Sequence, residues 1–225
     1  MSELDNRARK GVVGTLLSLA VLIFLPAWSL SFWQGWLVLA IVTICVGAIT
    51  AYFLKHDPAL VARRMDVGPK AEKENRQRTI QTLSSVSLFA LLVVPGLDHH
   101  FGWSQVPLPT VLAADAALIA GFALVFAVFK TNCYASAIVE VAADQKVISS
   151  GPYAAVRHPM YAGAVLLFVG TPLALGSYWG LIASIPMLAT LVARLLDEER
   201  VLVKELPGYA EYRTRVRSRL VPGLW

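Results

Sequence analysis

Apolar residues in this chain gather into long unbroken runs instead of alternating with polar ones. Four runs, Val12 to Leu30, Gly35 to Leu54, Ile80 to Leu97 and Val111 to Phe129, are long enough to cross about 30 Å of hydrocarbon as helices, which takes about 20 mostly apolar residues. Two shorter runs, Ala162 to Leu175 and Tyr178 to Ala193, are separated only by Gly176 and Ser177 and predict a tight helical hairpin. A polar segment from Lys55 to Thr79 contains "KAEKENRQR", which reads as a solvated helix. Pro107 and Pro109 mark the start of the fourth helix, because proline fits a first turn but not a helix interior. The segment "KTNCYASAIVEVAADQKVISS", from Lys130 to Ser150, is too polar to span and too apolar for a free linker, so it is expected at the interface. Helical periodicity carries the sixth helix through Arg194 to about Glu205, where Pro207 and Gly208 end it. A short basic helix, about Tyr209 to Arg219, is then expected on the membrane surface with Trp225 as an anchor.

Composition agrees with this reading: 56% of residues are hydrophobic and 16% charged, outside the range of soluble domains. The fold expected is an all-α polytopic membrane bundle of five to six transmembrane helices, ending in the hairpin and a cytoplasmic C-terminal helix, with no Rossmann domain. The net charge of +5 raises the question of nucleic acid, and the positions of the 20 basic residues answer it. They precede the first helix, lie between the second and third and between the fourth and fifth, or follow the sixth; with six crossings all fall on one side. This is the positive-inside pattern, so both termini are expected in the cytoplasm and a nucleic-acid partner is not. The protein is expected to be integral to a membrane, the inner membrane if the chain is bacterial, with the first run retained as a helix and not cleaved. Cys45 and Cys133 read as small apolar fillers. Two regions follow: residues 1–130, two antiparallel helix pairs with a cytoplasmic loop over 55–79, and residues 131–225, holding the interfacial segment, the hairpin over 159–197 and the tail.

The stretch "GPYAAVRHPMYAG", residues 151–163, places Arg157, His158 and Tyr161 where the chain enters the membrane. His158-Pro159 is at least a helix start, and the plainest account makes Arg157 a topological charge and Tyr161 an anchor. A second cluster lies at the far end of the hairpin. Arg194 and Glu198 are four residues apart on one helical face, and Glu199 lies about 100° further round. The hairpin arms are nearly equal, so Arg194, Glu198 and Glu199 return to the level of Arg157, His158 and Tyr161. The segment from Tyr209 to Arg213 can fold back over both as a lid. Carboxylates and tyrosine rings suit a ligand with cationic and hydroxyl groups, and an open apolar side suits a lipid tail. The four histidines are scattered and predict no metal site, and no phosphate-binding glycine loop or Gly-x-Ser-x-Gly elbow is present.

These residues resemble the integral-membrane methyltransferases of the isoprenylcysteine carboxyl methyltransferase and phospholipid methyltransferase group. The shared positions are Gly151, Pro152, Tyr153, Arg157, His158, Pro159, Tyr161 and Gly163, then Arg194, Glu198, Glu199 and Leu202, then Gly208, Tyr209, Tyr212 and Val216. Asn132 and Ser136 look like the family's upstream asparagine and serine. The chain departs from the family at Leu206-Pro207-Gly208, which abuts Tyr209 directly where the family often has Phe-Gly two residues earlier. The resemblance implies S-adenosylmethionine as cofactor, bound by Tyr153, His158, Pro159, Tyr161, Gly163, Glu198, Glu199, Tyr209 and Tyr212. It also implies catalytic roles for Arg157, Arg194 and Glu198, and a lipid or lipophilic acceptor such as an isoprenylcysteine-type carboxylate or a phospholipid amine. Two other readings stay open: a sterol-reductase-like oxidoreductase using NADPH, and a non-enzymatic transport or assembly protein. The last draws on Asp115, the one clear acid inside an apolar run, which near the outer end of its helix is expected to meet headgroups.

Overall fold

The computed structural model of the chain describes residues 3–65, 75–135 and 144–225. Ser136 and the whole of the "KAEKE" run, with Lys70 and Lys73, lie outside the described residues. Among the described residues all regular structure is helical: α1 (Glu3–Ala27), α2 (Trp33–His56), α3 (Pro58–Met65), α4 (Asn75–Phe101), α5 (Leu108–Thr131), α6 (Pro159–Ala174), α7 (Trp179–Glu205) and α8 (Tyr209–Arg215). No strand is present among them, so there is no Rossmann fold. Five helices, α1, α2, α4, α5 and α7, are long and apolar enough to cross a membrane. At 16 residues, α6 measures about 24 Å, short of a full crossing.

Most helices outrun their apolar cores. α4 begins five residues before Ile80 and continues past Leu97 to Phe101, because Asp98 is buried and bonded there. Its carboxylate accepts from the Ser104 amide at 2.7 Å, from the Ser104 hydroxyl at 2.6 Å and from the Ser177 hydroxyl. Ser177 Oγ in turn accepts from the Gly180 amide at 2.9 Å. One carboxylate thus ties the α4–α5 loop to the turn between α6 and α7, fixing the outer end of the hairpin. α3 forms inside the segment read as merely polar. Asp57 Oδ1 accepts from the Leu60 amide at 2.9 Å, and Pro58 follows as the first helical residue, an N-cap with proline at N1.

Close approach of backbones sets the bundle. A Cβ on Gly163 of α6 would sit 3.0 Å from the Gly121 carbonyl of α5, and one on Gly96 of α4 would sit 2.7 Å from the Ile23 carbonyl of α1. α6 packs along α5 and α7 along α4, with α6 and α7 meeting as antiparallel arms. The turn between them places Gly176 at φ +72°, a conformation glycine adopts without steric cost. Asp115 of α5 is buried within the bundle, and neither carboxylate oxygen has a hydrogen-bond partner among the described residues. Trp28, Trp33, Trp36, Trp103 and Trp179 are exposed at the ends of helices opposite the basic clusters, as in an interfacial aromatic belt.

Candidate active site

The approach to α6 is shaped by two local constraints. Gly151 takes φ +57° and opens a 3-10 turn (Gly151–Ala154) against Thr131, whose Oγ1 would lie 2.9 Å from a Cβ there. Proline at 159 then keeps His158 out of helical backbone, at φ −126° and ψ 62°. Arg157 therefore points away from the α6 surface and into α7 and the tail. Its Nε donates to Glu199 Oε1 at 2.6 Å, and Nη1 donates to the carbonyls of Val216 at 2.9 Å and Arg217 at 2.6 Å. Arg219 Nε donates to the other Glu199 oxygen at 2.9 Å. The amides of Arg157 and His158 donate to the carbonyls of Ser218 and Arg219, each at 3.0 Å. Residues 216–219 are thus a strap that laces the first cluster to Glu199.

The second contact between the arms is direct. Tyr161 of α6 donates its hydroxyl to Glu198 Oε2 on α7, the meeting expected from the equal arms of the hairpin. Arg194, one turn before Glu198, donates Nη1 to Gln81 Oε1 of α4 at 3.0 Å. Gln77, one turn earlier on α4, donates to Asp197. Glu198 and Glu199, adjacent in sequence, therefore serve different surroundings, since the 100° step between them turns one toward Tyr161 and the other toward Arg157.

α8 closes the site from the tail. Gly208 at φ +83° reverses the chain after α7, and Leu206, Tyr209 and Tyr212 pack with Val147, Leu202 and Val216. Tyr212 donates to the Tyr153 carbonyl at 2.7 Å, and the Tyr153 hydroxyl accepts from Asn132 Nδ2 at 2.9 Å. Burial pushes the phenols of Tyr153 and Tyr212 up to about 12 and that of Tyr209 higher still. All three stay protonated at any physiological pH.

These elements surround a cavity of about 400 Å³, within the usual range of small-molecule sites, roughly 300 to 1,000 Å³. Tyr153, His158, Tyr161, Glu198, Tyr209 and Tyr212 line it, as do Arg157, Pro159 and Arg194. Two expected site residues stand off its wall. Gly163 sits at the α5–α6 crossing, and Glu199 lies behind Arg157 with only 4% of its surface exposed. Ala164 and Phe168 continue the wall down α6 as an apolar face. Two polar atoms on the wall are buried without a hydrogen-bond partner among the described residues, His158 Nε2 and the Tyr209 hydroxyl. His158 Nε2 stands 3.6 Å from Glu199 Oε1, too far for a direct hydrogen bond. Orphaned buried polar atoms are costly and mark where a ligand's polar groups belong. Among the described residues no cluster of three His, Cys, Asp or Glu could hold a metal ion.

Sequence reasoning missed Arg64 of α3 and Gln81 of α4, which also line the cavity. Neither carries a local motif; only the packing of α3 and α4 brings them there.

The family model of phospholipid methyltransferases matches residues 109–207, from the start of α5 to just beyond α7. This region of the chain is similar to the phospholipid methyltransferase family. No curated protein matches the chain. The match takes in both clusters of the hairpin. Arg64, Gln81, Tyr209, Tyr212 and the strap all fall outside the matched residues.

Proposed function

We propose that this protein is a membrane methyltransferase that uses S-adenosylmethionine to methylate a lipophilic acceptor at the cytoplasmic face of the membrane. The observation that carries the reading is the convergence of both arms of the hairpin on one cavity where His158 Nε2 and the Tyr209 hydroxyl are buried without partners. Both atoms suit the polar groups of such a cofactor, and Glu198 and the tyrosine rings suit its cationic ones. When bound, the cofactor supplies an electrophilic methyl group on a sulfonium. The chain's own contribution is placement: orientation alone provides effective molarities of about 10⁵ to 10⁸ M. Tyr153, Tyr209 and Tyr212 close the site from water, and Tyr161 holds Glu198 in position. Arg194 faces the acceptor side, Arg157 the strap side. Glu199 belongs to this machinery through Arg157 and Arg219, not through the cavity wall. The division near residue 130, with a membrane scaffold before it and the cofactor region after it, is part of the same proposal.

Calorimetry on the full chain in detergent tests the reading. S-adenosylmethionine should bind and NADPH should not; the reverse would make the protein an oxidoreductase. Glu199→Gln should weaken S-adenosylmethionine binding about tenfold, since it loosens the strap that seats His158, and unchanged binding would sink that assignment. Incubation of lipid extract with methyl-labelled cofactor, read by mass spectrometry, would then identify the acceptor.

A further inference from the structure

Glu198 and Glu199 are the last two of three consecutive acids, and the first, Asp197, is not on the cavity wall. It is buried, and it lies one step of about 100° back round α7 from Glu198. Asp197 therefore meets α4 where Glu198 meets α6. Its partner on α4, Gln77, has only 2% of its surface exposed. Apolar side chains of similar volume would pack α4 on α7 as well; a buried amide and carboxylate add direction to the contact.

The donors say what that direction is. Gln77 Nε2 donates to Asp197 Oδ2, and the other oxygen of that carboxylate stands 3.5 Å from Arg76 Nε and 3.9 Å from Arg200 Nη1. A carboxylate accepts and cannot donate, so Asp197 fixes which end of the Gln77 amide it meets, the amino end. The carbonyl end is thereby turned to Arg194, whose Nη1 lies 3.5 Å from Gln77 Oε1 and 3.0 Å from Gln81 Oε1. The guanidinium thus enters a fork of two amide oxygens, one turn apart on α4. A reversed Gln77 amide would aim its N–H groups at a side chain that can only donate. Of these four residues Arg194 and Gln81 line the cavity, and Gln77 and Asp197 stand behind them.

We infer that Gln77 is a positioning residue for the cavity: its amide, oriented by Asp197, holds one side of the Arg194 guanidinium at the wall. This rests on the reading of the cavity as a methyl-transfer site in which Arg194 faces the acceptor. Gln77 lies outside the residues that the family model matches, and Asp197 acts on Arg194 only through it.

Phenylglyoxal treatment of the full chain in a neutral detergent, mapped by mass spectrometry, reads how firmly each guanidinium is held. Arg213, exposed on α8, serves as the internal reference. In the wild type Arg194 should react more slowly than Arg213; equal rates overturn the inference. Gln77→Met, similar in length and without the amide, should speed Arg194 about threefold to tenfold, the scale of one hydrogen bond. Asp197→Asn should speed it too, because the amide is then free to turn. Gln77→Glu combined with Asp197→Asn exchanges donor and acceptor across the pair and should restore the wild-type rate. A merely structural contact would lower the melting temperature of these variants and leave the Arg194 rate, measured well below the transition, alone. An unchanged rate in Gln77→Met overturns the positioning role, and a double variant no slower than Asp197→Asn overturns the orientation by Asp197. If Gln77→Met fails to fold, Asp197→Asn and the double variant decide. Transfer of labelled methyl into lipid extract should fall in Gln77→Met and recover in the double variant; transfer that stays constant while Arg194 loosens removes Gln77 from the site. A wild type that binds no S-adenosylmethionine yet shows this pattern at Arg194 would sink the proposed donor and leave the positioning role standing.

Discussion

Tyr209 and Tyr212 lie three residues apart on α8, and their hydroxyls have opposite fates. Tyr212 donates to the Tyr153 carbonyl, while Tyr209 has no partner among the described residues. Removing a made hydrogen bond costs about 1 kcal/mol, whereas removing an unmade buried one is neutral or stabilising. Tyr212→Phe should therefore lower the melting temperature in detergent. Tyr209→Phe should leave melting unchanged and weaken S-adenosylmethionine binding about tenfold, a split that a purely structural tyrosine would not produce. The same burial sets a pH dependence. Tyr153 and Tyr212 hold their protons to about 12 in the folded chain against 10.0 for the free side chain. Between those values the folded state binds more protons than the unfolded one, so stability falls as pH rises. Melting should be flat below about pH 10 and drop from there to pH 12, and the double Phe variant at 153 and 212 should flatten that drop. The sequence pointed to the tail from Tyr209 to Arg213 as a segment able to fold back over the hairpin clusters. Which of its tyrosines was satisfied was not legible, since that depends on a carbonyl 59 residues away.

At the scale of helices, packing rather than propensity decides what the sequence leaves open. Apolar runs located the spanning helices, yet α4 overran its run because Asp98 found partners in two loops. α3 was missed because eight residues are too few for a periodic signal, although Asp57-Pro58 announces its start. The hairpin was the most legible element, because two nearly equal arms joined by a short turn must bring their far ends level; Tyr161 and Glu198 meet as that geometry requires. Gly163 lets α5 and α6 approach, a packing role the linear motif did not show. Gly163→Ala should force a Cβ to within 3.0 Å of the Gly121 carbonyl and 3.3 Å of Val125 Cγ2. Overpacking of this kind costs about 1 to 3 kcal/mol. The variant should melt earlier, while S-adenosylmethionine affinity, measured well below the transition, stays as in the wild type.

For the whole molecule, charge and aromatic placement make two opposite ends. Arg157, Arg194 and the basic tail sit at the end holding the cavity, and the five belt tryptophans sit at the other. The positive-inside rule predicts that the cavity faces the cytoplasm. The free cysteines offer a check, since Cys133 is exposed at the cavity end and Cys45 lies within α2. A membrane-impermeant maleimide should label Cys133 in inside-out vesicles and not in right-side-out ones, and should label Cys45 in neither. Labelling of Cys133 from the outside would reverse the orientation. Nothing in the linear pattern revealed that the first half of the chain reaches the cavity, because Arg64 and Gln81 arrive there by the packing of α3 and α4 beside the hairpin.

The strap of residues 216–219 bears on the order in which the protein is made. α6 and α7 can enter the bilayer while the strap is still inside the ribosome, because they pack chiefly along α5 and α4 and on each other. The carbonyls of Ser218 and Arg219 that receive the amides of Arg157 and His158 arrive only once those residues have emerged. A nascent chain can therefore sit fully inserted among lipids without a finished site. The lacing of Arg157 and His158 to the tail is completed only when synthesis has passed beyond the strap.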